Sequence, residues 1–191
     1  GDGFVIARGM AAAGRQVMAV LVADASRLTG VAATHNWNVL QAMASAHSLE
    51  LFVAPNPEML LRLRERIAEA TMLVDALLGS GASGPLREPI STAVDLINAT
   101  RTHAQAAGRP CSVVAVDTPT RVDLTGGSRS TPVVQADITV TFHRAKAGFA
   151  LDRDARQLAG RYLVAPIGIP LEAEEGIVKE ISCSTTSKPF S

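Results

Sequence analysis

The chain has 191 residues, of which 47% are hydrophobic and 19% are charged, so it carries enough apolar material for one sizeable core. Its 18 basic and 18 acidic residues give a net charge of zero, which provides no overall field for a nucleic acid or an anionic membrane. Two cysteines are too few for a disulfide framework, and no apolar run reaches the length of a membrane-spanning helix. The composition therefore predicts a cytoplasmic globular domain and argues against nucleic acid as its partner.

Apolar residues along the chain alternate between a helical period and short continuous runs. In chain order they predict a helix at residues 3–13, a strand at 16–22, a helix at 34–46, a strand at 49–54, a helix at 57–70, a strand at 72–77, a helix at 88–107, and strands at 112–116, 138–142 and 162–165. Continuous apolar runs are typical of parallel strands that are covered on both faces. The alternation predicts an α/β fold of three layers, with a Rossmann-like, mostly parallel sheet and helices on both faces.

The two ends of the chain suggest where the domain begins and ends. Gly1-Asp2-Gly3 precedes the first helix without a strand in front of it, whereas in a doubly wound sheet such a turn connects a strand to a helix. We therefore expect that the first strand is missing because this is a fragment of a longer chain, whose earlier residues could also carry an organellar targeting segment. Residues 1–170 are predicted to form the domain, and the polar residues 171–191 a C-terminal extension or tail.

The candidate sites are the loops beyond the carboxyl ends of the strands, because ligands of parallel α/β sheets bind there. The first is Gly1-Asp2-Gly3, which leads into a helix. Its glycines allow a ligand to approach the backbone, and the helix start favours a phosphate or another polar group. Asp2 as an ordinary helix N-cap is an equally good interpretation.

The second candidate loop follows the strand that contains Asp75. A carboxylate near the end of an apolar strand is costly unless it meets a cation or hydrogen-bond donors, so a bound cation and a neighbouring Arg are the two candidate partners. Three glycines and two serines then precede Pro85 and a helix. Their backbone N–H groups could wrap a diphosphate, although an ordinary turn is the alternative.

The third candidate loop begins at Asp117, which closes a buried strand. Pro119 stiffens the turn that follows and would hold the carboxylate at the edge of the sheet. A general acid or base would lie at such a position. The alternative is that Asp117 caps the turn by accepting backbone N–H hydrogen bonds.

These three loops, in this order, resemble the YjeF N-terminal domain family, whose characterised enzymes are NAD(P)H-hydrate epimerases. Residues 1–3 match the end of the family's Asn-Asn-Gly-Gly-Asp-Gly loop, residues 74–85 resemble Val-Asp-Ala-Leu-Phe-Gly-Thr-Gly-Leu-Ser-Gly-Pro, and residues 116–123 resemble Val-Asp-Ile-Pro-Ser-Gly-Leu-Asp. Residues 136–148 resemble its Ala-Asp-Leu-Thr-Val-Thr-Phe and Lys-x-Gly segment, and residues 167–170 resemble the end of its closing Asp-Ile-Gly-Ile-Pro, in which Pro166 replaces the Asp. The matches span residues 1–170.

The resemblance implies an isomerase of nicotinamide cofactor repair, which epimerises the R and S forms of hydrated NADH and NADPH (NADHX and NADPHX). It also implies an NAD(P)H-hydrate dehydratase as functional partner, and we expect a homodimer. Asp117 would contact the hydrated nicotinamide and carry the proton transfer. The implied substrate-binding positions are Gly1, Asp2, Gly79, Ser80, Gly81, Ala82, Ser83, Gly84, Pro85 and Asp117.

Members of the family also bind a potassium ion, and Asp75 and Thr120 match two of its ligand positions. Carboxylate and hydroxyl oxygens are hard donors that suit an alkali cation, and the sequence has no thiol or imidazole cluster for a transition metal. A further ligand of the family, an Asn, would lie before Gly1. The resemblance therefore does not give this sequence a complete potassium site.

Arg121 departs from the family, which has a Gly at this position. If the turn needs a positive φ, Arg121 strains it and weakens the catalytic interpretation, although its guanidinium could instead contact a phosphate. Arg121 thus supports the alternative function, a non-catalytic module for nucleotide binding or for protein or RNA interaction. The histidines, Trp37, Asp137 and Lys146 are interpreted as surface, packing or capping residues, with a functional role for Lys146 left open.

Overall fold

The strands run parallel throughout and form two groups. The computed structural model describes residues 1–79, 85–122 and 132–174. In the first group β1 (Val17–Leu21) pairs with β2 (Leu49–Val53). The second group has the order β3 (Met72–Asp75), β4 (Ser112–Val116), β5 (Ile138–Phe142) and β6 (Arg161–Ala165). Because these strands are parallel, the carboxyl ends of β3, β4 and β5 meet at one edge of the sheet.

Helices connect the strands along the chain. They are α1 (Asp2–Ala12), α2 (Val31–Ala42), α3 (Pro57–Leu61), α4 (Arg64–Ala68), α5 (Ile90–Ala106), α6 (Ala147–Leu151) and α7 (Arg153–Ala159), with 3₁₀ turns at Ala25–Arg27 and Leu171–Glu174. None of the helices in the described residues is long and apolar enough to cross a membrane. The second 3₁₀ turn begins the predicted extension, whose residues 175–191 lie outside the described part of the chain.

Every predicted strand is confirmed, and so are three of the four predicted helices. The helix predicted at residues 57–70 is instead two short helices, which are separated by Arg62 and Leu63, where ψ at Leu63 opens to 0°. Neither α6 nor α7 is predicted by the sequence pattern, since helices of five and seven residues are too short to show an apolar period. The Asp152 carboxylate accepts the N–H groups of Asp154 and Ala155 and so begins α7.

Two layers of helices bury the opposite faces of β1, which confirms the three-layer prediction. Alternate residues of a strand point to opposite faces. The odd-numbered residues from Val17 to Leu21 pack against α1 and α2, whereas Met18 and Val20 pack against α3, α4 and α5. Leu73 of β3 belongs to the same cluster as Met18, so the second helix layer joins the two groups of strands.

Asp137 has a structural role directly before β5, in agreement with the capping interpretation. Its carboxylate accepts the guanidinium of Arg101, with Nη2 at 2.6 Å, and the N–H of Val113 at 2.8 Å. Burial opposes ionisation, but these donors outweigh it and hold the pKa of Asp137 below its ordinary value. The residue therefore ties α5 to β4 and β5.

Gly160, between α7 and β6, is expected to tolerate no side chain. Its φ is +62°, and a Cβ there would collide with the carbonyl oxygen of Asp137. Gly160→Ala should lower the free energy of unfolding by about 1–3 kcal/mol for a backbone conformation that only glycine adopts readily (φ +62°, ψ −137°) and by about 1–3 kcal/mol more for the collision. Gly108→Ala is the matched control, because Gly108 has φ +65° with open space around a Cβ. Urea denaturation should show the smaller loss for Gly108→Ala, and equal losses would contradict the collision.

Candidate functional site

The carboxyl ends of β3, β4 and β5 open on one cleft of about 510 Å³, which also contains the start of α1. Its lining comes from the first loop, the loop after β3, the end of β4 and the segment after β5. Among the lining residues are Gly1, Asp2, Gly79, Asp117 and Lys146. The fold thus brings residues of all three candidate loops to one cavity, as the parallel topology predicted.

Asp117 lies at the end of β4, where the backbone is left-handed (φ +66°). Its N–H donates to the carbonyl of Val140 at 2.8 Å, which anchors the turn on β5. Its Oδ1 accepts the Thr141 hydroxyl at 3.0 Å and lies 2.9 Å from the ammonium nitrogen of Lys146. A left-handed backbone costs a residue with a Cβ about 1–3 kcal/mol, and such strain concentrates at functional sites. The fold therefore holds this carboxylate in place against a conformational cost.

Lys146, whose role the sequence left open, belongs to the site. Its side chain is 29% exposed and forms the ion pair with Asp117. Its own N–H donates to the hydroxyl of Tyr162 at 2.9 Å, and the Tyr162 ring packs against Phe149 with centroids 4.7 Å apart. One sequence signal points to Lys146, since it falls in the Lys-x-Gly part of the segment on which the family resemblance rests.

Asp75 and Thr120, the two predicted cation ligands, contact each other beside the cleft. Asp75 is 1% exposed, and its carboxylate accepts the N–H of Thr120 at 2.6 Å and the hydroxyl of Thr120 at 2.7 Å. Leu77 donates its N–H to Asp75, and Leu78 donates its N–H to the Thr120 hydroxyl. Burial raises the pKa of Asp75, although these donors oppose it. Because Leu77 and Leu78 line the cleft, the Asp75–Thr120 pair braces its wall.

The Asp75–Thr120 pair has the chemistry of a site for a hard cation. Both groups offer oxygen ligands, and the ionised form of the buried carboxyl group carries a negative charge that a cation would balance. Among the described residues no Arg forms an ion pair with Asp75, so the Arg partner considered from the sequence is wrong. The same residues contain no group of three or more His, Cys, Asp or Glu side chains that could hold a metal ion.

The first loop forms the start of α1. The helix begins at Asp2, and its N-cap is Gly1, so the interpretation of Asp2 as the N-cap is wrong. An acidic residue in the first turn is favourable to the helix dipole. Gly1 and Asp2 both line the cleft, which is where the resemblance would have them.

Gly3 lets α1 approach the loop after β3, since a Cβ at this position would lie 2.7 Å from the Cβ of Ala76. Neither carbon belongs to a flexible side chain, so Gly3→Ala is expected to lower the free energy of unfolding by about 1–3 kcal/mol. Gly9→Ala, in the same helix with open space around its Cβ, should raise it by about 0.5–1 kcal/mol. Urea denaturation of both variants checks the two signs. A stabilising Gly3→Ala would show that the close approach is absent.

Part of the second predicted substrate loop lies outside the described residues, namely Ser80, Gly81, Ala82, Ser83 and Gly84. Gly79, before this gap, lines the cleft. Pro85, after it, is described and does not line the cleft. Contact between this loop and a substrate therefore stays a prediction.

Arg121 and His143 share the left-handed backbone of Asp117, with φ +79° and +66°. The turn at Arg121 does take the positive φ that would suit a Gly, so the Arg bears the strain foreseen from the sequence. Contact between its guanidinium and a phosphate stays a prediction. His143, which received no functional role from the sequence, lines the cleft directly after β5.

Known proteins match nearly the whole chain. The model of the family described as YjeF-related protein N-terminus matches residues 1–148. The bifunctional NAD(P)H-hydrate repair enzyme Nnr of Pyrobaculum aerophilum is 38% identical over 178 residues, which cover 91% of this chain and 32% of that enzyme. The NAD(P)H-hydrate epimerase of Cenarchaeum symbiosum is 33% identical over 183 residues, which cover 93% of this chain and 73% of the epimerase. This chain thus spans 32% of the bifunctional relative and most of the epimerase.

A similar fold is found among solved structures. The crystal structure of yeast ynu0 aligns with a TM-score of 0.70 at 19% sequence identity. The alignment covers 97% of this chain and 69% of the yeast chain. The chain and the yeast protein therefore share a similar arrangement of strands and helices.

Proposed function

We propose a function from one premise: this chain belongs to the family of YjeF-related protein N-termini. Relatives that match more than nine tenths of it are named NAD(P)H-hydrate epimerase or bifunctional NAD(P)H-hydrate repair enzyme. We infer that the chain is an epimerase domain that interconverts the R and S forms of NADHX and NADPHX. The cleft at the carboxyl ends of β3, β4 and β5 is the proposed active site.

The observation that carries the proposal is the Asp117–Lys146 pair in this cleft. We propose that the hydrated carbon inverts by breaking its bond to the hydroxyl oxygen and forming this bond again on the other face. A proton must reach that oxygen as it leaves as water, and a proton must come off the water as it returns. A carboxylate and an ammonium group 2.9 Å apart can exchange that proton with the substrate in both directions.

The substrate is proposed to lie along the loops that meet the pair. Helix N-termini favour anionic groups through their unpaired N–H groups and the helix dipole, so the start of α1 suits a phosphate of the dinucleotide. Gly1 and Asp2 lie at that start and line the cleft. The glycine-rich residues 79–84 are proposed to take the other phosphate through their backbone N–H groups.

We also propose that Asp75 and Thr120 provide two of the oxygen ligands of a potassium ion. The support is a nearly fully buried carboxylate, raised in pKa, whose neighbour in the site is a hydroxyl oxygen. A bound ion would supply positive charge beside the loop after β3. The two side chains fix that loop through the N–H groups of Leu77 and Leu78, so the ion would also stiffen one wall of the cleft.

Other expectations rest on the same premise. A dehydratase is the proposed functional partner, since a dehydratase specific for one epimer would consume the form that epimerisation supplies. A homodimer and a cytoplasmic location remain proposals from the sequence, as does the boundary of the domain at residue 170.

A chiral separation of the R and S hydrates tests the proposed function. Purified protein is incubated with a single epimer of NADHX or NADPHX, and appearance of the other epimer is followed against heat-inactivated protein. We expect interconversion well above the uncatalysed rate. Nucleotide binding in calorimetry without interconversion would refute the epimerase and favour the non-catalytic binding module.

A further inference from the structure

β5 carries two fully buried threonines whose hydroxyl groups have different partners. Thr139 and Thr141 are both 0% exposed, and their spacing of two residues directs both side chains to the same face of the strand. The Thr139 hydroxyl donates to the carbonyl of Ala159 at 2.8 Å, which ties β5 to the end of α7. The Thr141 hydroxyl donates instead to Oδ1 of Asp117 at 3.0 Å.

The Thr141 hydroxyl is a stiffer constraint on Asp117 than the Lys146 ammonium. Threonine is branched at Cβ, so its side chain has few rotamers, and here it is enclosed by the fold. Lys146 reaches the same oxygen through a long side chain that is 29% exposed. Of these two partners, Thr141 is therefore the one that constrains the direction of the carboxylate more tightly.

We propose that Thr141 is a positioning residue, which holds the Asp117 carboxylate in the orientation that serves the reaction. The inference rests on the proposed epimerase function for its kinetic consequence. Thr141 does not line the cleft, so it acts on the substrate only through Asp117. Its contribution should accordingly appear in kcat and leave the binding of substrate nearly unchanged.

Thr141→Val keeps the volume and the branching of the side chain and removes the hydroxyl. A displacement of a reacting group by about 1 Å can cost about 100-fold in rate, so we expect kcat to fall by about 10- to 100-fold. KM should change by less than about twofold, because no group that touches the substrate is altered. Thr141→Ser restores the hydroxyl and should recover most of the lost kcat.

Thr139→Val is the matched control, since it removes an equally buried hydroxyl from the same face of the same strand. It should lower the stability to urea about as much as Thr141→Val and leave kcat at the level of the unmodified protein. The ¹³C NMR signal of the Asp117 carboxyl carbon gives a readout that needs no turnover. That signal should move in Thr141→Val and stay in place in Thr139→Val and Thr141→Ser.

Two results would overturn the inference: an unmoved Asp117 signal in Thr141→Val, or a loss of kcat in Thr139→Val as large as in Thr141→Val. A displaced signal in a protein that shows no epimerisation before any substitution would refute the proposed function and still support the hold of Thr141 on Asp117. The two failures are therefore distinguishable in one set of samples.

Discussion

Asp117→Asn is expected to reduce the interconversion of R and S hydrates by about 10²–10⁴-fold, the usual contribution of a positioned acid or base. The amide has nearly the volume of the carboxyl group and can still accept the Thr141 hydroxyl through its oxygen. It cannot take up or release a proton in the working range of pH. The pair with Lys146 is lost as a proton-exchanging unit while the turn at the end of β4 is preserved.

The chiral assay and urea denaturation, applied together, separate loss of chemistry from loss of fold in Asp117→Asn. Asp137→Asn is the matched control, because it also replaces a carboxylate that pairs with a basic side chain next to a strand. Asp137 lies before β5, at the opposite end of that strand from the cleft. The Asp137→Asn variant should lose stability and keep its kcat. Retention of more than about a tenth of kcat in Asp117→Asn would remove Asp117 from the proton transfer.

The strands and the positions of Asp75 and Asp117 at the sheet edge were predictable because the sequence expresses them locally. The strands at 112–116 and 138–142 are apolar runs whose ends match the structure to the residue. In parallel α/β sheets the residues at and just after the carboxyl ends of the strands lie at the ligand edge. This singles out Asp75, within the run at 72–77, and Asp117, directly after the run at 112–116, without any knowledge of contacts. The first loop was located correctly, but Asp2 is not its N-cap.

The ion pair between Asp117 and Lys146 could not be predicted from the local sequence pattern. Lys146 meets Asp117 only because β4 and β5 are neighbours in the sheet, and strand order is a long-range property that apolar runs do not encode. The break between α3 and α4 and the left-handed backbone of His143 likewise have no counterpart in the apolar pattern of the sequence. The sequence could identify Arg121 as a point of strain only because the family has a Gly there.

Asp75→Asn is expected to flatten the dependence of stability on pH, because burial raises the pKa of Asp75 in the folded protein. The folded state therefore holds the proton of the Asp75 carboxyl group more tightly than the unfolded state does. The contribution of Asp75 is therefore fully present below the ordinary aspartate value of 3.8 and is lost as the pH rises through the raised folded value. The amide of this variant carries no charge. It can accept the N–H of Thr120 and donate to the Thr120 hydroxyl, but it loses the longer hydrogen bond from the N–H of Leu77.

A bound potassium ion should counteract the loss of stability that the ionised Asp75 carboxylate causes. A cation held by Asp75 and Thr120 favours the ionised carboxylate, so KCl is expected to stabilise the protein at neutral pH more than at pH 3. Binding to the folded state alone contributes about 2.7 kcal/mol at a potassium concentration 100 times the Kd. The measurement is urea denaturation across this pH range in KCl and in choline chloride of equal ionic strength, with Asp75→Asn as the variant that lacks the charge. Equal stabilities in the two salts for the unmodified protein would refute the potassium site. The decline of stability with rising pH in choline chloride would still report the buried carboxylate of Asp75.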